Sequence, residues 1–296
     1  MRILITGGTG QLGPYIARRL LRDGHELTLW SQSWTQSVEG ITPRCVDLED
    51  AQAMERALSD AAPEAIVHAA ALSQIASCHG DPQKAHRINV QATAWLGALR
   101  GAPPCRDGAL IYLSTDLVFD GEQGDYRETD AAHPSSVYGR TKFEGEQTVL
   151  ASSRSRPTVL RLPLILGPSL TGRPKFFDTL IASLKEGKPI TLFDDEWRTP
   201  LGADQAADAV ALALTHRLEG LYHVAGGERL SRYEIGVIVA AALGVDASCI
   251  QRASRLSMKG PEPRPRDTSL NSDKWRARFP SFETSNFEST VCRLLG

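Results

Sequence analysis

The chain opens with an apolar run, residues 2–6, that passes through a glycine-rich turn directly into a helical pattern. Such a change of period across one tight turn is typical of the start of a βαβ unit. Further short apolar runs lie at 26–30, 44–46, 65–68, 109–114 and 158–162. The helical patterns that alternate with the runs begin near Gln11, Glu49, Pro82 and Ser136. This alternation predicts an α/β fold with a parallel sheet wound on both faces.

The glycines of the first turn have the spacing G-x-x-G-x-x-G. The first allows the tight turn, the second lets the backbone approach a pyrophosphate, and the third lets helix and strand pack closely. Unpaired N–H groups and the positive end of the helix dipole then face the phosphates. Glycines also serve turns that bind nothing. The strand before and the helix after nevertheless predict a Rossmann dinucleotide site formed by Gly7, Gly10, Gln11, Leu12 and Gly13.

The end of the second predicted strand bears on the choice of cofactor. A site for NAD commonly carries a carboxylate about 20 residues after the glycines. Here Ser31 and its polar neighbours stand instead, with no acid to repel a 2′-phosphate and no arginine to bind one. We expect NADP or NAD, with NADPH preferred. Asp47 and Leu48 are placed at the adenine edge, although Asp47 could equally be the N-cap of the next helix.

Ser114, Thr115 and Asp116 follow an apolar strand at the sheet edge that faces the ligand crevice. Tyr138 and Lys142 stand four residues apart at a helix start and therefore share a helix face. A phenol with a pKa of about 10 needs roughly 3 to 4 kcal/mol of stabilisation to ionise near neutral pH, and Lys142 supplies positive charge. Most Tyr-x-x-x-Lys pairs lie on surfaces. Beside the glycine turn, however, they predict a catalytic set in which Thr115 orients a substrate oxygen and Tyr138 transfers its proton.

Composition excludes several classes of function. The 33 basic and 35 acidic residues leave no basic footprint for nucleic acid. The five scattered cysteines contain no C-x-x-C pair for zinc or redox chemistry. We find no leader or spanning segment and expect a cytoplasmic protein without a membrane partner. The carboxylates of 194–196 could hold a metal, but a solvated turn is the favoured interpretation, so no metal is expected.

Proline and glycine become frequent after Gly167, and the strand–helix alternation weakens. We assign 1–167 to the dinucleotide-binding domain and 168–296 to a smaller α/β substrate lobe. Segments such as 203–228 are expected to pack back on the first domain. The segment 255–267, rich in proline and basic residues, is expected to be an ordered loop rather than a long helix.

Four stretches carry a family resemblance: TGGTGQLG, LSTDLVFDG, YRETDAAHPSSVYGRTKFEGE and RPRDTSLNSDK. The chain resembles the extended short-chain dehydrogenase/reductases and is most similar to the dTDP-4-dehydrorhamnose reductases over nearly its whole length. The resemblance implies that Thr115, Tyr138 and Lys142 are the catalytic triad and that the region after Gly167 binds the sugar nucleotide. It also adds cofactor-lining positions, which are Ala69, Ala70, Ala71 and Asn89.

The same resemblance places Ser114, Asp116 and Phe119 at the substrate. It implies that Arg198 and Arg264 bind a diphosphate, for which arginine has suitable bidentate geometry. Dehydratase relatives carry a glutamate directly after the acid that follows the threonine, and its absence here disfavours dehydration. The chain also departs from the reductases at residue 117 and at 162–165, where they often have aromatic residues.

The predicted function is NAD(P)H-dependent reduction of a 4-keto group on a nucleotide-activated deoxysugar. Tyr138 would donate the proton and the nicotinamide the hydride. An epimerase with retained NAD uses the same residues and is one alternative. A second is a non-enzymatic cofactor-binding subunit resembling the regulatory subunit of methionine adenosyltransferase. The expected partner is the nucleotide-sugar substrate, with a homodimer as a possible assembly.

Overall fold

The computed structural model describes residues 1–33, 36–99, 108–151, 157–257, 260–284 and 286–296. Its strands are β1 (Arg2–Thr6), β2 (Glu26–Ser31), β3 (Arg44–Cys45), β4 (Ala65–His68), β5 (Ala109–Thr115), β6 (Thr158–Leu162), β7 (Ile165–Leu166), β8 (Ile190–Phe193), β9 (Trp197–Arg198), β10 (Leu201–Gly202), β11 (Gly220–His223), β12 (Leu230–Ser231) and β13 (Ile250–Ala253). Its α-helices are α1 (Gly13–Arg22), α2 (Ala51–Ala61), α3 (Ile75–Gly80), α4 (Pro82–His86), α5 (Ala92–Leu99), α6 (Val137–Leu150), α7 (Phe176–Glu186), α8 (Ala203–Thr215), α9 (Arg232–Leu243), α10 (Asp273–Arg278) and α11 (Phe287–Leu295). A π-helical turn (Arg87–Gln91) joins α4 to α5.

Seven strands form one parallel sheet in the order β11-β6-β5-β4-β1-β2-β3. The last residue of β1, Thr6, lies level with Trp30 of β2 and His68 of β4. All these strands therefore end at one edge of the sheet, where a doubly wound fold opens its crevice. This confirms the predicted α/β fold with a doubly wound parallel sheet.

Local sequence signals explain most element boundaries. Helix α6 starts where predicted because the Ser136 hydroxyl accepts a hydrogen bond from the Gly139 amide. Helix α2 starts two residues later than predicted, because Asp50 is its N-cap and accepts from the Ala53 amide. The six-residue helix α3 was not predicted, since it is too short for helical periodicity to show. The segment 255–267 begins with a 3-10 turn and has no helix over 260–267, while residues 258–259 lie outside the described residues.

Two helical layers cover the sheet. On one face, Ile16 and Leu20 of α1 pack against Val210 of α8 in a fully buried core. On the other face, α2, α5 and α6 contribute buried residues such as Met54 and Val149 to a second core. Burial of this kind stabilises a large apolar side chain by about 1.5 to 3 kcal/mol. The sheet is thereby held rigid beneath the edge where its strands end.

The second half of the chain divides its residues between two cores. Helices α7, α9 and α11 and strands β8 and β13 form a core of their own, which includes Phe177, Val239 and Val291. By contrast, α8 and β11, both within 203–228, join the first core and the large sheet. Trp275 of α10 does the same. The chain therefore crosses between the cores several times after residue 167.

Candidate functional site

A cleft of about 590 Å³ lies at the edge where the sheet strands end. Its walls are the glycine turn, the ends of β2, β4, β5 and β6, the start of α6 and the segment after β7. Most residues predicted to bind the cofactor line it. They are Gly7, Gly10, Gln11, Leu12, Ser31, Asp47, Leu48, Ala69, Ala70, Ala71, Tyr138 and Lys142, accompanied by Ser114 and Thr115.

The glycine turn is built for close backbone approach. Gly7 has a φ of +67°, and a Cβ there would lie 2.8 Å from the backbone of Ala70. A Cβ on Gly13 would lie 2.4 Å from the Gly7 carbonyl oxygen, so Gly13 serves the packing of α1 and does not line the cleft. No side chain caps the start of α1. An uncapped helix N-terminus at a tight turn suits the pyrophosphate of a dinucleotide.

Two acidic residues after β3 have different roles. Asp50 is the N-cap of α2, so the alternative interpretation of Asp47 as that cap is wrong. The Asp47 carboxylate accepts from the Glu49 amide at 2.9 Å and lines the cleft. It stands where the sequence placed the adenine edge.

Asn89 lies one layer behind the cleft wall. It sits in the π-helical turn and is 1% exposed. Its amide oxygen accepts from the Leu72 amide at 2.8 Å, and its amide nitrogen donates to the Leu72 carbonyl at 3.0 Å and to the Thr141 hydroxyl at 2.9 Å. Asn89 thus fastens the loop after β4 to α6, and the structure does not bring it into the cleft lining.

The predicted catalytic residues meet on one wall of the cleft. Thr115 ends β5, and Tyr138 and Lys142 occupy one face of the first turns of α6. Helix α6 approaches β5 closely, because a Cβ on Gly139 would lie 2.1 Å from the Leu117 carbonyl oxygen. The Thr115 hydroxyl is within hydrogen-bonding reach of Tyr138 and donates to Asp116 at 3.0 Å. The three residues that the sequence spacing singled out therefore also lie close together in the structure.

The electrostatics of this wall differ from the sequence-based expectation. Burial raises the pKa of Tyr138, the Asp116 carboxylate raises it further, and the Thr115 hydroxyl only partly opposes them. Burial lowers the pKa of Lys142 to about 7, although the Glu146 carboxylate counteracts it. The expected lowering of the Tyr138 pKa is absent, since burial and the Asp116 carboxylate outweigh the hydrogen bond from Thr115. Tyr138 is therefore a protonated phenol, which suits a proton donor.

Glu146, one helical turn beyond Lys142, is a buried carboxylate that sequence reasoning missed. It accepts from both arms of the Arg161 guanidinium, at 2.9 and 2.7 Å, and from the Ser114 hydroxyl. Ser114 is thus bonded to the protein interior while it lines the cleft. The Lys142 ammonium lies 3.9 Å from the ring centre of Tyr112. The spacing of Lys142 and Glu146 on one helix face was the available signal.

Arg198, predicted to bind a diphosphate, is buried in ion pairs. Its side chain is 5% exposed and lies 3.3 Å from Asp116 and 3.4 Å from Glu196. Asp116 also accepts from the Thr268 hydroxyl at 2.5 Å. Burial raises the pKa of Asp116 against the opposing effect of Arg198. Neither Asp116 nor Arg198 lines the cleft.

The Glu196 carboxylate also accepts hydrogen bonds from Arg232 at 2.9 Å and from Arg264 at 2.7 Å. Burial alone would raise its pKa, but the surrounding guanidiniums lower it to about 2. Arg264, the second arginine predicted for the diphosphate, is therefore committed to this carboxylate and lies outside the cleft lining. Sequence alone did not show that Glu196 would compete for it.

Phe119 is fully buried and stacks on Tyr126 with ring centres 4.0 Å apart, so the structure does not bring it to the cleft. Asp195 accepts from the Ser254 hydroxyl at 2.5 Å and from the Arg255 amide at 2.6 Å, which makes it a turn residue. Across the described residues, no His, Cys, Asp or Glu side chains cluster in a way that could hold a metal ion.

The described ranges contain no helix that is long and apolar enough to cross a membrane. Four cysteines are free thiols, while Cys105 lies outside the described residues.

The structure also reveals two cleft-lining cations that the sequence interpretation did not single out, Arg173 and Lys175. They lie shortly after Gly167, where the frequency of proline and glycine had marked only the start of the second lobe.

Comparison with known proteins agrees with this geometry. A Streptomyces antibioticus protein named as a probable dTDP-4,6-dihydroxy-2-methyloxan-3-one 4-ketoreductase is 30% identical, with 93% of this chain and 88% of that protein covered. The Xenopus laevis methionine adenosyltransferase 2 subunit beta is 31% identical over 92% of this chain and 81% of its own. The crystal structure of a hypothetical dTDP-4-dehydrorhamnose reductase from Sulfolobus tokodaii is 30% identical. It superposes with a TM-score of 0.81 over 94% of each chain.

One family description spans nearly the entire chain. Residues 1–295 match the family described as the RmlD substrate binding domain. The match runs through the glycine turn, the Thr115, Tyr138 and Lys142 wall and the second core alike. The chain belongs to the RmlD substrate-binding domain family.

Proposed function

We propose that this protein reduces a 4-keto group on a nucleotide-activated deoxysugar with a nicotinamide dinucleotide. The observation that carries the proposal is the wall formed by Thr115, Tyr138 and Lys142 in the same cleft as the glycine turn. A purely cofactor-binding protein has no chemical need for a protonated phenol beside a buried lysine at that position. The relative named as a 4-ketoreductase supports the choice of carbonyl.

The cofactor site is formed by the backbone of the glycine turn. Gly7 and Gly10 leave room for phosphates, and the uncapped start of α1 presents N–H groups toward them. Ser31 and Asp47 line the cleft at the expected position of the adenosine half. The cofactor is NADP or NAD, and the absence of an acid at the end of β2 favours NADPH. A bound reduced nicotinamide supplies a hydride.

The residues of the wall divide the remaining chemistry. Tyr138, protonated because of its burial and the nearby Asp116 charge, donates a proton to the carbonyl oxygen. Thr115 lies beside Tyr138 and orients that oxygen through its hydroxyl. Lys142, with a pKa near 7, donates a hydrogen bond and positive charge as the Tyr138 oxygen loses its proton. Proton donation by such a positioned group contributes typically 10²- to 10⁴-fold to the rate.

The direct test is NADPH oxidation by the purified protein over a panel of nucleotide-linked 4-keto-6-deoxy sugars. We expect Tyr138→Phe to lower kcat at least 100-fold while the Kd for NADPH changes less than about threefold. Tyr233→Phe, on the outer helix α9, is the matched control and should behave as wild type. Full activity of Tyr138→Phe would refute the assignment of the proton donor.

A non-enzymatic subunit is the second candidate, favoured by the 31% identity to methionine adenosyltransferase 2 subunit beta. It predicts that NADPH binds but is not oxidised with any sugar in the panel. It also predicts that the protein co-purifies stoichiometrically with a catalytic partner. Turnover with one sugar, abolished by Tyr138→Phe, would eliminate it.

A further inference from the structure

Within the part of the chain that the structure describes, the cations that line the cleft are Lys142, Arg173 and Lys175, and the carboxylate is Asp47. Lys142 is 3% exposed and its ammonium lies over the ring of Tyr112. Arg173 is exposed and Lys175 is partly exposed. Positive charge that an incoming ligand can reach from solvent therefore comes mainly from Arg173 and Lys175.

The segment that carries these two cations is fixed at several points. The Tyr15 hydroxyl of α1 donates to the Pro168 carbonyl at 2.7 Å. The Asp178 carboxylate, in the first turn of α7, accepts from the amides of Ser169 at 2.9 Å and Lys175 at 2.8 Å. Bonds at both ends restrict the backbone from 168 to 175, so little conformational entropy remains to be lost when a ligand binds.

A further bond ties the strand before this segment to the cofactor loop. The Gln11 side-chain amide donates to the Ile165 carbonyl at 2.9 Å. Gln11 belongs to the glycine turn, whereas Ile165 lies in β7, which leads into the cationic segment. Arg173 and Lys175 are thereby presented on the wall that belongs to the second half of the chain, in the same cleft as the glycine turn.

The arginines expected from sequence to bind a diphosphate lie outside the cleft. Arg198 and Arg264 both lie within ion-pair distance of Glu196, and neither lines the cleft. Releasing either would leave a buried carboxylate with fewer partners, which is strongly unfavourable. The glycine turn, for its part, binds a pyrophosphate through backbone N–H groups and the helix dipole, without side-chain cations.

We propose that Arg173 and Lys175 form a phosphate-recognition pair that binds the diphosphate of the nucleotide-linked substrate. The inference rests on the proposed function, because it assumes a second phosphate-bearing ligand besides the cofactor. Arg173 offers planar, bidentate donors and Lys175 a compact charge, a combination suited to a diphosphate group. The pair replaces Arg198 and Arg264 as the site for the substrate's negative charge.

The test uses dTDP and UDP as probes, titrated calorimetrically into the protein saturated with NADPH. The variants are Arg173→Gln, Lys175→Gln and the double substitution. Lys185→Gln is the matched control, since it removes an exposed cation from the last turn of α7, the helix that follows the pair, outside the cleft. We expect the double variant to weaken binding of the better nucleotide about 10- to 100-fold, and Lys185→Gln to leave it unchanged.

The second part of the experiment measures cofactor binding, because the cofactor also carries phosphates. NADPH and NADH affinities, measured by nicotinamide fluorescence, should change less than threefold in the double variant. Equal weakening of NADPH would show that the pair serves the cofactor and would overturn the proposal. Unchanged dTDP and UDP binding in the double variant would overturn it as well. Circular dichroism and thermal unfolding confirm that each variant is folded.

Failure of this proposal and failure of the proposed function give different results. If wild type reduces a sugar nucleotide and the double variant binds dTDP and UDP normally, only the phosphate pair is wrong. If the variants lose nucleotide affinity but wild type oxidises no NADPH with any sugar, only the reductase assignment is wrong. A wild-type protein that binds neither dTDP nor UDP and oxidises no NADPH with any sugar would overturn both.

Discussion

The titration of Lys142 gives a quantitative prediction for the pH dependence of the reaction. Burial lowers the pKa of this lysine from 10.5 to about 7, a difference that corresponds to about 5 kcal/mol of lost ammonium stabilisation. Tyr138 remains protonated over the same range because its pKa is raised. The rate kcat/KM should therefore fall as the pH rises through about 7, since the required Lys142 charge is lost there.

The perturbation is Glu146→Gln, which removes a negative charge one helical turn from Lys142 and keeps the side-chain shape. Two charges about 6 Å apart at an effective dielectric constant of about 20 interact by about 3 kcal/mol. Arg161, which pairs with the same carboxylate, is present in both proteins, so its charge does not change this difference. The falling limb of the profile should therefore move at least one pH unit lower.

The assay is initial-rate NADPH oxidation between pH 5.5 and 9 at saturating cofactor. Breaking the buried pair with Arg161 also destabilises the fold, by about 3 to 5 kcal/mol, so rates are measured below the transition seen in thermal unfolding. Ser114→Ala is the control, since it removes a hydrogen bond to Glu146 but leaves the Glu146 charge. The falling limb of the pH profile of this variant should stay where it is in wild type. A limb that is unmoved or shifted upward in Glu146→Gln would refute the reasoning.

Three further predictions concern packing and charge. Gly13→Ala should weaken NADPH binding more than 10-fold in a fluorescence titration, because its Cβ would lie 2.4 Å from a backbone oxygen; unchanged affinity would contradict the tight turn. Glu196→Gln should lower the free energy of unfolding at pH 7 by about 3 to 5 kcal/mol. Since the pKa of Glu196 is held at about 2, this loss should shrink as the pH falls from 4.5 toward 2; equal urea stability of the two proteins at pH 7 would contradict it. Gly97→Ala should raise the free energy of unfolding by about 1 kcal/mol, since its Cβ meets open space in a helix. Gly145→Ala should lower it by about 1 to 3 kcal/mol, since its Cβ would lie 2.3 Å from the Tyr112 hydroxyl; similar melting temperatures for the two variants would argue against the close packing of α6 on β5.

The fold was largely predictable because its strands are short apolar runs bounded by turn residues. The six strands predicted from such runs all lie in the sheet, with ends shifted by at most one residue. The π-helical turn was not predictable, since one inserted residue leaves no periodic signal over five positions. Asn89, which lies behind the cleft wall, belongs to that turn.

The candidate site was predictable where one short motif supplies every partner. Tyr138 and Lys142 share a helix face by spacing alone, and the structure places both in the cleft. The position of Arg198 depends instead on its ion pair with Glu196, a carboxylate that also binds Arg232 and Arg264 from remote segments of the chain. Burial likewise sets the pKa of Tyr138, and no local motif reports burial.

The repeated crossing of the chain between its two cores affects how the protein unfolds. Helix α8 covers Ile16 and Leu20 of α1, yet it comes from the part of the chain beyond residue 202. A fragment ending at residue 167 would expose that apolar face and lose the edge strand β11. We therefore expect such a fragment to aggregate rather than fold, and the full chain to melt in a single cooperative transition. The cleft between the halves is then as stable as the whole molecule, because the first half does not persist without the second.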